Sequence, residues 1–409
     1  MLGAGSVVSV HVIDSGEDFS QACSALRSGT GPFAVDAERA SGFTYSQRAY
    51  LIQVYRRDAG TFLFDPPAIG NMAELTEVAG DEEWIFHAAS QDLPCLREVG
   101  ITPRHVFDTE LAARLLGLNR VGLGAVVSEL LGVQLEKAHS AVDWSTRPLP
   151  EPWLEYAALD VELLVDLRDV MTVMLDEAGK TNYARQEFRA TLDKPEKELA
   201  IEPWRRLSGL HTLRSTRLVA IARELWLARD RIAAQRDVAP GRLVPDASLV
   251  AAVAANPESK VALSKVKAFN GRASRSLIDE WWAAIERGRR TEDLPALRVK
   301  TTELPPARAW AERNPEAHER LLRMRPRMQA VSENLQIPIE NLLTPALLRS
   351  VAWEPPPVVD EQHVATALLS GGARPWQVEI CGPLIVDALL DESPLPVVDP
   401  PLEDHVSTE

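Results

Sequence analysis

Every strand signal in this chain falls within its first ninety residues, and the remaining three quarters read as helix. Phe33-Ala-Val-Asp-Ala-Glu38, Ala49-Tyr-Leu-Ile-Gln-Val-Tyr55, Thr61-Phe-Leu-Phe64 and Trp84-Ile-Phe-His87 are short β-rich or apolar runs. Gly60 and Asp65-Pro-Pro67 punctuate them. Residues 1–14 are apolar without a basic leader and meet His11 and Asp14, so they read as a strand rather than a signal peptide. Helical periodicity follows at 90–99, 109–118, 123–131 and 152–178. A strand-rich start giving way to helices predicts a mixed α/β domain.

At 409 residues the chain exceeds what one hydrophobic core supports. The segment Leu192-Asp-Lys-Pro-Glu-Lys-Glu198 interrupts the periodicity as a candidate linker. Residues 203–288 lack strand signals, and Leu218, Ile221, Leu225 and Trp226 are spaced for one buried helix face. Thr291-Glu-Asp-Leu-Pro295 marks another break before a third, helical segment with Glu354-Pro-Pro-Pro357 inside it. The expected domains are 1–192, 203–290 and 300–390, followed by an acidic, proline-rich tail, 391–409, expected to be disordered.

An apolar fraction of 45% excludes wholesale disorder. With 44 Lys+Arg against 59 Asp+Glu the net charge is -15, which excludes a generally basic nucleic-acid binder. Cys23, Cys95 and Cys381 are too scattered for a disulfide framework or a zinc site, so a reducing cytoplasm fits. No uncharged apolar run approaches the ~18 residues of a membrane span.

Asp36 and Glu38 stand at i and i+2 on a predicted strand, so alternation puts both on one face, where they could share a cation. Asp-x-Glu occurs four times in the chain, but only this pair is embedded in an apolar strand, where unpaired carboxylates are costly. A strand end with both acids in solvent is the equal alternative. Asp92 follows a strand and lies in the first turn of a helix, where the helix dipole favours an acid without any function. Tyr156 and Asp160 are i and i+4 on a helix, which by itself suits a packed tyrosine and a solvated acid. In combination the four carboxylates are more specific than any part. Converging acids repel, and hard oxygen ligands suit Mg²⁺ or Mn²⁺. Two such ions ~3.5–4 Å apart stabilise the attacking and leaving oxygens of a phosphoryl displacement.

At these residues the sequence resembles the DEDD superfamily of 3′→5′ exonucleases, and the tyrosine before the last aspartate resembles its DEDDy branch. Asp36-Ala-Glu38, Leu51-Ile-Gln53, His87-Ala-Ala-Ser-Gln-Asp92-Leu, Phe107-Asp-Thr-Glu-Leu-Ala-Ala113 and Tyr156-Ala-Ala-Leu-Asp160-Val resemble the ribonuclease D family, as do Lys137, Ser140, Asp143-Trp-Ser145 and Arg147-Pro-Leu149. Ala37 replaces the commoner Thr. Trp204-Arg-Arg-Leu207, residues 225–234 and Val244-Pro-Asp-Ala-Ser-Leu249 resemble an HRDC domain, and the last helical segment is similar in position to a second one.

The resemblance implies an α/β ribonuclease H-like exonuclease domain, a mixed sheet flanked by helices, followed by two all-α HRDC-type helical domains. It implies that Asp36, Glu38, Asp92 and Asp160 bind two divalent cations, Mg²⁺ or Mn²⁺, and that Tyr156 orients the attacking water. The implied activity is release of 5′-mononucleotides from RNA with a free 3′ hydroxyl, in tRNA 3′ processing, in the cytoplasm, with no membrane and no obligate protein partner. The alternatives are a DNA-directed DEDDy exonuclease, against which the HRDC architecture argues, and a non-catalytic RNA-binding scaffold, against which the intact carboxylates argue.

His87 reads as a packed or hydrogen-bonded core residue, Gln53 as supporting strand packing ahead of a contact to the terminal nucleotide, Trp144, Trp204 and Trp226 as core, Asp108 and Asp143 as structural, and Tyr45 as a base-stacking candidate. Residues 203–290 carry 17 Lys+Arg against 8 Asp+Glu, a net of +9 in an acidic chain. Within them Arg214, Arg217, Lys260, Lys265, Lys267, Arg272 and Arg275 are candidate phosphate contacts, with a solvated charged face as the alternative.

Overall fold

A computed structural model of the chain describes residues 11–135, 142–195, 201–298 and 304–394. Residues 1–10, Lys137, Ser140, Glu196 to Glu198 of the candidate linker, and 395–409 of the tail lie outside the described residues. Six strands, β1 (Val12–Ile13), β2 (Thr30–Arg39), β3 (Ala49–Arg57), β4 (Gly60–Phe64), β5 (Glu83–Phe86) and β6 (His105–Asp108), form one sheet in the order β1-β4-β3-β2-β5-β6. β2, β3 and β4 are an antiparallel meander, while β1, β5 and β6 pair in parallel. The sheet is therefore mixed, and β2 is bonded on both edges.

The two-residue period of β2 sorts its side chains. Phe33, Val35 and Ala37 point into a core with Ile52, Val54 and Phe64, closed by helices Gly16–Ser28, Ala73–Ala79 and Leu93–Glu98. Leu51 and Leu63 face the other way, onto Trp144, Leu154, Ala157 and Ala158. The last three belong to helix Glu151–Glu162, which also carries Tyr156 and Asp160. Asp36 and Glu38, alternating with the first set, are on that second face.

The four runs read as strands are β2 to β5. The short β6 passes directly into helix Thr109–Leu115 without a turn residue, so its apolar run merged with the helical pattern. The long helix expected at 152–178 is two, Glu151–Glu162 and Leu164–Glu177, with a break at Leu163 that no Gly or Pro announces. No helix of the described residues is long and apolar enough to cross a membrane.

By contact the chain divides into two compact units. The first joins Met1–Thr109 and Leu123–Val170 to Thr191–Lys300. Its all-helical part buries Trp204, Leu225, Leu249, Phe269 and Trp281. This part grips the loop between β2 and β3. Asp237 accepts from Ser46 N (2.8 Å), Ser46 Oγ (3.2 Å), Tyr50 Oη (3.1 Å) and Arg48 (3.2 Å), and Ala239 N donates to Phe43 O at 2.9 Å.

The second unit comprises Glu110–Gly122, Met171–Ala190 and Thr301–Glu409. Buried Glu187 accepts from Trp376 Nε1 at 2.8 Å and pairs with Arg374, and the Tyr183 ring stacks on Trp376. Lys180 Nζ donates to Leu115 O and Leu335 O at 2.6 and 2.7 Å.

In the first unit, helix Ile278–Arg290 crosses helix Thr216–Arg236 so closely that a Cβ on Gly288 would stand 2.5 Å from Ile221 Cα. Alanine at a helical position gains about 1 kcal/mol over glycine in propensity. Overpacking against backbone costs about 1–3 kcal/mol or more and here meets an atom that cannot rotate away. Gly288→Ala is expected to destabilise the chain, with a lower Tm and faster proteolysis after residue 203. An unchanged Tm would show that the two helices part freely.

Candidate metal centre

Carboxylate oxygens of Asp36, Glu38 and Asp160 lie within 4.8 Å of one another. β2 supplies the first two from adjacent positions on one face, and helix Glu151–Glu162 supplies the third. Across the β2–β3 pairing Asp36 stands opposite Gln53 and Glu38 opposite Leu51, and the register shifts immediately after Glu38. Asp36 Oδ1 accepts from Ala37 N at 2.9 Å. Ala37 itself is buried in the opposite core, so its identity does not reach the acids.

Asp92 stands outside this triad, at the N-cap of helix Leu93–Glu98. It makes no side-chain capping bond, and only 5% of it is exposed, so stabilising a helix start in water does not explain it. The turn that presents it is unusual. Ala88 is left-handed (φ 68°), and buried Asp108 accepts from Ala88 N (3.1 Å) and Ala89 N (2.9 Å). Thr109 Oγ1 donates to Phe86 O at 3.1 Å and lies 2.9 Å from His87 Nδ1. The packing role read for His87 and the structural role read for Asp108 thus acquire a specific content: both hold the Asp92 turn.

The charges are poorly compensated. Burial, with Asp36, Asp160 and Asp92 as neighbours, pushes the Glu38 carboxyl up to about 9. Burial and Asp36 push Asp160 up to about 7, although the Tyr156 hydroxyl donates to it. Asp36 is raised by burial against the Ala37 amide and Arg39, and Asp92 is raised well above the carboxylate range by burial and Asp36. The Tyr156 hydroxyl is raised by burial and by Asp160. Such a set is unfavourable when ionised without positive charge, and its all-oxygen chemistry fits Mg²⁺ or Mn²⁺ rather than a soft metal.

Gln53 carries an unsatisfied amide beside the acids. It is fully buried opposite Asp36, and among the described residues neither side-chain amide atom has a hydrogen-bond partner. A lone amide within the apolar run Ala49-Tyr-Leu-Ile-Gln-Val was the available signal.

The basic candidates are dispersed. Arg217 is consumed by Gly288 O and Thr291 O, and Lys260 by Asp279. Arg214, Lys265, Lys267, Arg272 and Arg275 are exposed without an ion pair among the described residues. The Tyr45 hydroxyl is bonded to Asp230 at 3.1 Å, with the ring at the surface. Trp144 and Trp204 are buried, as read.

Three family models match successive parts of the chain: a 3′-5′ exonuclease over residues 10–176, an HRDC domain over 219–285 and a 3′ to 5′ exonuclease C-terminal domain over 303–389. The ribonuclease D of Jannaschia sp. (strain CCS1) is 29% identical over 319 residues, 74% of this chain and 78% of the relative. A solved protein from Bifidobacterium adolescentis is 36% identical, with a TM-score of 0.86 over 93% of this chain and 96% of its own. Escherichia coli RNase D, described as an exoribonuclease involved in structured RNA processing, is 25% identical, with a TM-score of 0.67 over 93% of this chain and 98% of its own.

The raised acids carry a pH signature. Between the ordinary Glu value of 4.5 and about 9, folded Glu38 keeps a proton that the unfolded chain has released. The folded state then binds more protons, so this contribution to stability is complete below 4.5 and is lost as pH rises toward 9. Glu38→Gln is expected to flatten the decline of Tm between pH 6 and 8.5 in EDTA, and Mg²⁺ or Mn²⁺ to raise the wild-type Tm most at the alkaline end. Parallel Tm profiles for variant and wild type would contradict the buried-repulsion account.

Proposed function

The chain belongs to the ribonuclease D family of 3′→5′ exoribonucleases, and from that premise we propose that Asp36, Glu38, Asp92 and Asp160 hold two divalent cations, Mg²⁺ or Mn²⁺, for stepwise hydrolysis of RNA. The observation that carries this reading is the convergence of Asp36, Glu38 and Asp160 within 4.8 Å, with the Tyr156 hydroxyl bonded to the last of them. When bound, such cations supply a more acidic water and stabilisation of the leaving 3′ oxygen.

The chain's own groups do the positioning. β2 fixes two carboxylates in one register, and the helical spacing of Tyr156 and Asp160 places hydroxyl and acid one turn apart. With its pKa raised, Tyr156 keeps its proton at neutral pH and serves as a hydrogen-bonding group that orients water rather than as a base. The products are nucleoside 5′-monophosphates, released from a free 3′ hydroxyl end. The substrates are ends of structured RNA, tRNA precursors above all, in the cytoplasm. In functional terms we read an exonuclease domain at 1–192, an HRDC domain at 203–290 and a helical HRDC-like domain at 300–390.

Purified full-length protein with Mg²⁺ or Mn²⁺ should shorten 5′-labelled RNA one nucleotide at a time, and EDTA should stop it. Asp36→Asn and Asp160→Asn should each lower kcat by about 10³-fold or more, equivalent to about 4 kcal/mol of transition-state stabilisation, without lowering Tm. Variants that degrade RNA at the wild-type rate would refute the assigned site. Faster turnover of a matched DNA oligonucleotide would instead favour the DNA-directed reading.

Tyr156→Phe should lower kcat by about 10²-fold while leaving KM and metal affinity near wild type. A change in KM alone would assign the hydroxyl to RNA binding.

A further inference from the structure

The helical part of the first unit contains a pocket of about 630 Å³ whose lining includes Arg236, Arg242 and Arg272, the serines Ser248, Ser274 and Ser276, and no acidic residue. All three arginines are exposed, so solvent weakens their mutual repulsion, but no carboxylate among the lining residues offsets their charge. Elsewhere in this part Arg223, Arg231, Arg287 and Arg290 are each matched by a carboxylate. By contrast, Arg236 and Arg272 are exposed, and their side chains have no ion pair or hydrogen bond among the described residues. Guanidinium forks and hydroxyls together are donors suited to phosphate oxygens.

The pocket is tied to the acidic strand. Arg242 Nε donates to Gly42 O at 2.6 Å, and its guanidinium lies 3.9 Å from the centre of the Phe43 ring. Gly42 is four residues beyond Glu38, so their Cα atoms are at most about 14 Å apart even in a fully extended chain. The Asp237 bonds to Ser46, Arg48 and Tyr50 fix the same loop. A strand of a few nucleotides with its 3′ end among the carboxylates has the length to reach Arg242.

We propose that this pocket takes a backbone phosphodiester of the RNA strand a few nucleotides upstream of the 3′ end, and so fixes the strand whose terminus is hydrolysed. The proposal rests on the exoribonuclease reading and deepens it. Arg272 belongs to the candidates read from the sequence. Arg236 and Arg242 join it through the fold, since 30 residues or more separate either from Arg272.

The test uses the full chain and single-stranded RNA of 3 and 12 nucleotides with free 3′ hydroxyls. In the double variant Arg236→Glu/Arg272→Glu, KM for the 12-mer should rise at least tenfold more than KM for the trinucleotide. Binding of the 12-mer in EDTA, read by fluorescence anisotropy, should lose salt dependence by roughly 0.7 in log-log slope for each phosphate contact removed. Arg27→Glu/Arg206→Glu, with the same change of net charge outside the pocket, should shift both KM values by the same factor. Equal shifts for the two lengths in the pocket variant would overturn the proposal. So would inorganic phosphate or 5′-AMP binding that depends on Arg236 and Arg272 while 12-mer binding does not, because the pocket would then be a small-anion site. A wild-type chain without metal-dependent turnover would refute the exoribonuclease reading, and the anisotropy measurement, which needs no turnover, still decides the pocket.

Discussion

Mutual repulsion among Asp36, Glu38 and Asp160 is the constraint that the first unit has to withstand. Burial and like charge both act against this arrangement in the absence of cations, as the upward shifts of Glu38 and Asp160 show. The acids cannot relax far, because each is held by an element whose other face is committed. β2 is hydrogen-bonded to β3 and β5, and Phe33, Val35 and Ala37 anchor it in the core opposite the site. The helix that brings Asp160 is anchored by Leu154, Ala157 and Ala158 against Leu51 and Leu63. Packing on both faces therefore offsets a local electrostatic cost, and a site prepared for positive charge results.

Asp92 reaches the same neighbourhood by a different device. A left-handed non-glycine residue costs about 1–2 kcal/mol, and Ala88 has no side-chain bond of its own to offset that. Asp108 compensates from the end of β6 by accepting two backbone amides. Hydrogen bonds to a charged group contribute about 1.5–3 kcal/mol each, so the staple outweighs the strain. The same two amides satisfy the buried Asp108 carboxylate. The position of Asp92 thus depends on β6, whose Asp108 also adds to the negative charge that Asp92 feels.

The proposed cation ligands were legible because their chemistry is local. Two acids two residues apart on a strand, and a tyrosine and an acid four apart on a helix, declare a shared face through backbone periodicity alone. What periodicity could not show is which distant groups support them. Nothing near Asp108 in sequence indicates that its partners are Ala88 and Ala89, and nothing near Asp237 indicates a loop some 190 residues earlier. β6 was missed because four residues without a flanking turn carry too little pattern to separate from the following helix. Arg217 and Lys260 looked like free cations because sequence counts charge and cannot see Gly288 O, Thr291 O or Asp279 beside them.

The acidic total looks different once these placements are known. A net of -15 would keep a polyanion away if it were spread evenly. It is divided instead: residues 203–290 carry +9, and the rest of the chain carries -24. In the first unit the basic helical part bonds directly to the loop that leaves the acidic strand, through Asp237, Ala239 and Arg242. On the proposed function, an RNA strand would find donors at the exposed arginines of that part, and the carboxylates would accept its phosphates only when cations screen them. Salt would then weaken the first interaction and divalent ions would enable the second, so that binding and turnover would have opposite ionic requirements in neighbouring parts of one compact unit.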